Sequence, residues 1–580
     1  MQIDYSRDSL LTDFGRATLK DRYLLPEETS PQEAFARAAK AFADDEDHAQ
    51  RIYDYVSKLY FMFSTPILSN GGTSRGLSIS CFLQYVPDSR EGLTDHYTEN
   101  AFLSSFGGGT AGYWGAIRAD GATTSKGSRS SGTIPFLKVV DSSIMAFAQG
   151  VSRRASYAAY QDISHPEIEE FINIRKPTGG DINRKALNIH NAVCLTDHFM
   201  RLVEGGGDLD LTDPHSGTVT KSISARRLWE QILETRISTG EPYITFIDEA
   251  NKQLPQSQKD LGLKIHSSNL CEEIYLPTSE ERTAVCCLSS VNLEKWEEWK
   301  DIPGFIEDIV RFLDNVLTHF IAEAPPQLHK AKFSASQERS IGLGAMGFHS
   351  YLQKNSIPFE GPIAAGVNQT MFKYIKQQAL KATEKLAEER GSPPDAGGRK
   401  IRNLHLLAIA PNASSGIICG ETSPSIEPLR ANAFTQKTLS GSFLVRNKYL
   451  EELLVKYDKN TPETWTSIVA ARGSIQHLNF LTDWEKDVFK TAIELDQHWI
   501  IEHASQRQPY ICQSQSVNLF FTPDVDVEYL HSVHMMAWKK KLKSLYYLRS
   551  QSMSAFTVVS EKIEKMYRRE SEEACISCEG

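Results

Sequence analysis

The 580-residue chain has no uninterrupted apolar run approaching the roughly 18 residues that a membrane-crossing helix needs. Its first residues, Met1-Gln2-Ile3-Asp4-Tyr5-Ser6-Arg7, lack the apolar segment of a secretory signal, so a cytoplasmic protein with no membrane partner is expected. Positive charge is also short. Against 73 Asp and Glu stand 63 Lys and Arg, a formal net charge of −10, which excludes the broad basic surface that coats nucleic acid. A nucleotide partner would therefore be a small molecule in a local pocket. Cysteine is sparse, with nine in all, at 81, 194, 271, 286, 287, 419, 512, 575 and 578. In so long a chain without a signal they do not read as a disulfide framework, which leaves metal binding, redox chemistry or inert burial. Only Cys575 and Cys578 have CxxC spacing, and no second pair or histidine lies near them, so no metal site is expected. The composition, 41% hydrophobic and 23% charged, is that of a globular protein with a large core.

What the chain does have is organised around Ser268-Asn269-Leu270-Cys271-Glu272-Glu273. Asn269, Cys271 and Glu273 fall at i, i+2 and i+4. In an extended segment an amide, a thiol and a carboxylate would share one face, with Leu270 and Glu272 on the other, packing or meeting solvent. Taken alone, the hexapeptide also suits a loop around a buried structural cysteine.

Other segments take their place around it. The alanine-rich run Pro31 to Asp44, with Ser30 as N-cap and Pro31 in the first turn, predicts a helix within a mostly helical region 1–62. Leu77 to Leu83 reads as an approach to a short apolar strand carrying Cys81. Phe106-Gly107-Gly108-Gly109-Thr110-Ala111-Gly112 reads as a glycine loop that lets backbone come close to a neighbour, with the spacing of neither a P-loop nor a dinucleotide fingerprint. Asp120 to Gly132, with Lys126 and Arg129, and Gln149 to Ser156, with Arg153 and Arg154, read as further loops. The paired arginines suit a phosphate or a stacked base, and also a plain solvated face. Apolar residues at 305, 306, 309, 312, 313, 316, 317 and 320 predict a core helix, and Thr370 to Arg390 another, stopped by Gly391 and Pro393-Pro394. Leu404 to Ala410 reads as a buried strand. It runs into Pro411-Asn412-Ala413-Ser414-Ser415-Gly416-Ile417, a turn of small residues able to offer N–H and hydroxyl groups to phosphate. Gln513-Ser514-Gln515-Ser516 leads into an apolar strand, and Leu542 to Leu548 reads as one more, with a Tyr546-Tyr547 doublet that packing alone would explain.

In this order and spacing the segments resemble the large catalytic (alpha) subunit of class I ribonucleotide reductase. The matching pieces are Ser80-Cys81-Phe82-Leu83, the Gly107 loop, Ile117-Arg118-Ala119-Asp120-Gly121, the Gln149 loop, the central hexapeptide, Ala284-Val285-Cys286, Ser425-Ile426-Glu427-Pro428, Gln513-Ser514-Gln515-Ser516 and Leu545-Tyr546-Tyr547. Together they cover residues 60 to 550 and the tail cysteines.

The resemblance implies an α/β fold, a ten-stranded α/β barrel of two half-sheets over residues 63–555, with Cys271 on an inner finger loop and dimer and specificity elements around 85–160. A helical region 1–62 precedes it, and a flexible redox tail 556–580 follows. Cys271, as a thiyl radical, would take the ribose 3′ hydrogen, Glu273 would act as base on the 3′-hydroxyl, and Asn269 would hold substrate. Cys81 and Cys286 would supply two electrons and become a disulfide, which Cys575 and Cys578 would reduce by exchange before passing the electrons to thioredoxin or glutaredoxin. Tyr546 and Tyr547 would relay the radical from a metallocofactor in a separate small (beta) subunit, so no cofactor is expected in this chain. Substrate diphosphate would sit on Pro411, Asn412, Ala413, Ser414 and Ser415, with Thr65 and Ser80 nearby. Nucleotide effectors (ATP, dATP, dTTP, dGTP) would bind at Asp88, Arg118 and Lys126, with Gln149, Arg153 and Arg154 carrying their identity to the substrate base, in a homodimer.

Two residues depart from the pattern. Asn412 replaces a hydroxyl or acidic residue, and Cys287 stands beside Cys286. Strand neighbours face opposite ways, so only one of the two thiols reaches the pocket, and Cys286 is the one assigned. Three rival readings fit less well. An adenosylcobalamin-dependent reductase would not need the tyrosine pair, a non-catalytic nucleotide-binding regulator would not need the thiols, and a general thiol oxidoreductase would need a thioredoxin-like βαβ pattern around the CxxC. The short segment ahead of Phe63-Ser64-Thr65-Pro66 leaves no room for the ATP-cone of family members with overall activity control. Accordingly dATP is expected not to shut the enzyme off. Inhibition by dATP that disappeared on trimming residues 1–50 would contradict this.

Overall fold

The computed structural model describes residues 1–147, 155–438 and 441–550. Gln149, Arg153 and Arg154 lie outside the described residues, as do Cys575 and Cys578.

The chain opens with three helices, α1 (Asp13–Arg22), α2 (Pro31–Phe42) and α3 (Glu46–Ser57). Each begins at a side-chain cap, from Thr12, Ser30 and Asp45 respectively. At α2 the cap is reciprocal: the Gln32 amide donates to Ser30 Oγ at 3.1 Å, and the Ser30 amide donates to Glu33 at 3.2 Å. Such a capping box satisfies backbone donors that the first helical turn would leave open. The helix buries Ala34, Phe35, Ala38 and Phe42, and the Phe42 ring meets Phe312 edge-on at 5.8 Å.

Next comes the short strand β1 (Phe61–Phe63), then five strands that form a parallel half-sheet in chain order. These are β2 (Cys81–Tyr85), β3 (Gly109–Tyr113), β4 (Ser156–Asp162), β5 (His190–Leu195) and β6 (Tyr243–Phe246). β3 and β5 are buried along their whole length, as expected for a parallel sheet covered on both faces. The glycine stretch expected as a loop lies largely inside β3. There a Cβ on Gly112 would stand 1.9 Å from the Tyr157 hydroxyl, so glycine is required by packing against the next strand and not by a ligand. Asp120 to Gly132, also expected as a loop, folds into an antiparallel hairpin, with 120–123 against 129–131 and Lys126 in its exposed turn.

Helix α4 (Ala225–Thr239) leads to β6. The second half-sheet starts at β7 (Ala284–Asn292), followed by α5 (Phe305–Glu323), β8 (Ile341–Met346), α6 (Pro362–Arg390) and α7 (Ala413–Ile418). α6 ends at Gly391 as predicted but starts eight residues earlier than Thr370, at Pro362. β7 and β8 are parallel neighbours, and β8 is joined by the bridge Leu343 to Leu407, then Ile409 to Gln515. The chain finishes with β9 (Leu519–Phe521), β10 (Ser544–Leu545) and β11 (Leu548–Ser550), β9 and β11 running parallel.

Two antiparallel seams join the halves, β2 to β7 and β6 to β10. The result is a barrel of two parallel half-sheets, but the regular hydrogen-bonded sheet holds nine strands, β1 among them. The expected strand 404–410 is reduced to isolated bridges because the amides of Leu406 and Leu407 donate to Cys512 Sγ, at 3.0 and 3.2 Å. The expected strand 542–548 is likewise interrupted at Tyr546-Tyr547, between β10 and β11.

Outside the barrel, α5 carries the fully buried Asp314. Its carboxylate accepts from Arg339 Nε at 2.9 Å, Arg390 Nη1 at 3.0 Å and Asn403 Nδ2 at 3.0 Å, and Arg402 Nε lies 3.3 Å away. Arg339 precedes β8 and Asn403 precedes the bridge at 407, so one anion fixes where two barrel segments enter. Removing a partner from a buried ion cluster strands the other charges in low dielectric, at a cost of about 3–5 kcal/mol. Asp314→Ala is therefore expected to lower the thermal unfolding midpoint by several degrees in calorimetry, far more than removal of the exposed Lys385 from its pair with Glu307.

Candidate active site

The central hexapeptide is not extended. Residues 270–271 form a turn, and Glu272 takes the left-handed backbone conformation, with φ 66°. Asn269 makes the turn: its Oδ1 accepts from the amides of Glu273 at 3.0 Å and Ile274 at 3.1 Å, an Asx-type closure. Its Nδ2 is buried with no hydrogen-bond partner in the structure and remains able to donate to a bound group. Asn269, Cys271 and Glu273 are all buried. So are Leu270 and Glu272, which is the packing alternative of the two expected for them.

The turn is braced from both half-sheets. Tyr160 on β4 donates to the Asn269 carbonyl, and Thr245 on β6 donates to the Glu272 carboxyl at 3.0 Å. On the opposite side, Ser516 Oγ donates to the Cys271 carbonyl and lies 3.3 Å from Glu273 Oε2, while the Ser514 amide donates to the Glu273 carbonyl at 2.9 Å. Gln513 reaches two ways: its Oε1 accepts from the Tyr275 amide at 3.1 Å, and its Nε2 lies 3.5 Å from Cys286 Sγ. The Gln513-Ser514-Gln515-Ser516 stretch thus has a physical reason: three of its four residues hold the thiol-bearing turn or the neighbouring thiol.

Cys81 and Cys286 face each other across the β2–β7 seam as register partners. Directly opposed residues of an antiparallel pair have Cα atoms about 4.5–5.5 Å apart, within the span a disulfide bridges. Both share a small apolar cluster with Ile274 and Ala408, whereas Cys287 belongs to the main core on the other face. Burial pushes the Cys286 thiol well above the usual range, and the Cys287 thiol likewise. Room beside Cys286 is kept by Gly342, where a Cβ would come within 3.0 Å of its sulfur and 2.4 Å of Leu288.

The rings of Tyr546 and Tyr547 lie 4.3 Å apart, and Tyr243 stands 4.8 and 5.0 Å from them. All belong to the cluster that contains Cys271. Arg236 holds the pair from below, donating to the Tyr546 carbonyl at 3.1 Å, and the Tyr547 hydroxyl is 3.4 Å from His190 Nδ1. His190 is paired to the buried Glu241 at 2.6 Å, whose carboxyl is held down at about 2, against burial, by Arg175 and His190. None of Arg175, His190, Arg236 and Glu241 could be singled out in the sequence, since each is an isolated charged residue until the fold assembles them.

Among the other candidates, Asn412 has φ 58° and its Nδ2 donates to Ser290 Oγ at 2.9 Å, just ahead of α7, in which Ser414 and Ser415 are buried. Thr65 begins a short helix and pairs with the Tyr23 hydroxyl at 3.0 Å. Ser80 is buried next to Cys81. Asp88 and Arg118 form an ion pair at 2.8 Å, with His215 3.4 Å from Asp88.

A barrel of two parallel half-sheets around a thiol-bearing turn, with a facing cysteine pair and two adjacent tyrosines in ring contact, is the arrangement of a radical-type nucleotide reductase scaffold. Comparison with known proteins agrees: the ribonucleotide reductase barrel domain matches residues 79–397 and 395–548, and the all-alpha domain of the ribonucleotide reductase large chain matches 9–76. The chain belongs to the ribonucleotide reductase large-subunit family. A relative from Frog virus 3 (isolate Goorha) is 49% identical over 535 residues, covering 92% of each chain. The ribonucleoside-diphosphate reductase large subunit of Invertebrate iridescent virus 3 is 43% identical and covers all of both. Among solved structures, the Actinobacillus ureae class Id ribonucleotide reductase alpha subunit superposes with a TM-score of 0.83 at 35% identity, over 96% of this chain and 100% of that one.

The seam geometry predicts which thiols oxidise together. Mild oxidation followed by peptide mass mapping is expected to give a Cys81–Cys286 linkage that survives Cys287→Ala and is lost in Cys286→Ala.

Proposed function

We propose that the chain reduces ribonucleoside diphosphates to 2′-deoxyribonucleotides by thiyl-radical chemistry, with a separate small subunit as the source of the radical. The observation that carries this reading is the placement of Cys271 on a buried, doubly braced turn, beside a cysteine pair in register across a seam and a tyrosine pair in ring contact in the same cluster. Polar acid–base chemistry does not readily replace a hydroxyl on an unactivated carbon, whereas a radical at C3′ weakens the adjacent C2′–O bond. In the proposed sequence the Cys271 thiyl takes the 3′ hydrogen, and Glu273 accepts the 3′-hydroxyl proton. The 2′-hydroxyl leaves as water, and Cys81 and Cys286 give up two hydrogens in all and join as a disulfide. Cys271 then returns its hydrogen to C3′, and Glu273 returns its proton to the 3′ oxygen. The high thiol pKa of Cys286 suits this role, because a group that must deliver hydrogen has to stay protonated at neutral pH.

Asn269 Nδ2 is assigned to hold the substrate, and the segment Pro411 to Ser415, with Thr65 and Ser80, to take its diphosphate. Tyr546 and Tyr547 are assigned to relay the radical from a metallocofactor in the small subunit. Asp88, Arg118 and Lys126 are assigned to effector nucleotides, with Gln149, Arg153 and Arg154 carrying the effector signal, and Cys575 and Cys578 to exchange with thioredoxin or glutaredoxin. A homodimer would complete the effector site. No helix among the described residues is long and apolar enough to cross a membrane.

The test is turnover of CDP with ATP and dithiothreitol, with and without the metal-containing small subunit, and separately with adenosylcobalamin. Turnover with cobalamin alone would sink the class I assignment. Cys271→Ser is expected to abolish product while leaving effector binding intact. Tyr546→Phe, which keeps the ring but loses the ionisable hydroxyl, is expected to lower kcat by more than about a hundredfold, the scale lost with an essential proton-transfer group.

A further inference from the structure

Glu272 stands beside the reactive thiol, and no step of the proposed reaction uses it. It is fully buried and keeps a left-handed backbone that costs a non-glycine residue free energy. An apolar side chain of similar size would fill the same space without the penalty of burying a carboxyl. The contacts explain its retention. Its carboxyl accepts from the Tyr275 hydroxyl at 2.8 Å and from Thr245 of β6 at 3.0 Å, and its carbonyl accepts from Ser544 Oγ of β10 at 3.0 Å. The Tyr275 hydroxyl also lies 3.1 Å from the Lys543 carbonyl. Residues 543 and 544 stand three and two residues before Tyr546, whose own carbonyl is held by Arg236.

We propose that Glu272 is a positioning residue: its side chain and its carbonyl together fasten the turn carrying Cys271 to β6 and to the strand leading into Tyr546, and so set how the thiol meets the tyrosine pair. This rests on the reductase reading above and adds to it a residue that touches no substrate.

The protonation of the anchor matters. Burial pushes the Glu272 carboxyl up to about 8, opposed by hydrogen bonds from Tyr275, Thr245 and Tyr160 and by the charge of Arg236. The titratable groups facing it are Tyr160 on β4, Cys194 on β5, Arg236 on α4 and Tyr275 within its own loop. Both tyrosines and the cysteine are held neutral by burial, and the Arg236 guanidinium is lowered to about 9. At neutral pH the anchor is therefore the uncharged acid, and its ionisation above pH 8 charges a dry pocket and loosens the turn. The sign for stability follows. The folded-state value lies above the ordinary carboxylate value, so the contribution is fully present below about pH 4.5 and is lost as pH rises to about 8. Glutamine, which mimics the acid form, escapes that loss.

The experiment compares wild type, Glu272→Ala and Glu272→Gln in the full chain with its small subunit, CDP and ATP. Expected for Glu272→Ala is a fall in kcat of at least about tenfold with KM and effector affinity unchanged, the pattern of lost positioning. Glu272→Gln is expected to restore turnover at pH 7, to lack the decline that wild type shows above pH 8, and to gain thermal stability over wild type as pH rises from 5 to 8. Wild-type turnover in Glu272→Ala, or a Glu272→Gln profile that still falls above pH 8, would overturn the proposal. If wild type itself reduces no CDP, the proposed function fails, and amide hydrogen exchange over residues 268–276 decides the anchor separately. Faster exchange in the alanine variant than in the glutamine variant upholds it, and equal exchange in all three chains overturns it.

Discussion

Two amide hydrogens, those of Glu273 and Ile274, converge on the carboxamide oxygen of Asn269, and the site depends on that closure. Without it the chain from 268 to 275 would lie extended, and a period of two would carry Glu272 away from its neighbours. With it, Cys271 sits at a tight bend whose carbonyls turn outward to Tyr160 of the first half-sheet and to Ser516 and Ser544 on the other side of the barrel. The bend is short and strained, and a free loop would not hold it. Here it is over-determined by hydrogen bonds from segments far apart in sequence, which is how strained backbone persists in folded proteins.

The second constraint is dryness. Cys271, Cys286, the tyrosine pair and the carboxyls around them are buried, and burial favours the neutral form of each acid. For chemistry that moves hydrogen atoms this is an advantage, because a thiol kept from ionising keeps the hydrogen it must give. The same dryness makes unpaired charge costly, and the structure meets it by pairing: Glu241 with Arg175 and His190, and Asp314 with three guanidiniums. Charge is thus confined to places where it is paired.

Local order was legible in the sequence. The cap at Ser30 and the stop at Gly391 announced themselves because capping and left-handed glycine are decided within a few residues. The central hexapeptide was legible as a functional cluster but not in shape, since alternation describes strands and the Asn269 closure is a turn device. Cys81 and Cys286 lie some two hundred residues apart, and only strand register makes them opposite. Cys287 was placed correctly on the other face because alternation does hold inside β7. The strand expected at 404–410 failed for a reason invisible locally, the capture of its amides by Cys512. For Glu272 the sequence left packing and solvent both open, because nothing in the hexapeptide reveals that Thr245 and Tyr275 wait behind it.

The two antiparallel seams carry a consequence for how the molecule comes into being. The first half-sheet, β2 to β6, is finished by residue 246, but its edges are closed by β7 at one end and by β10, near residue 544, at the other. A ribosome-bound chain therefore holds an open sheet through most of its synthesis, with contacts of very long sequence separation still to be made, the condition under which folding is slow and exposed edges are hazardous. The turn at 271 gains its last braces from residues 514, 516 and 544, and the tyrosines that approach it follow directly after. The turn and the tyrosine pair are therefore completed together, at the end of synthesis.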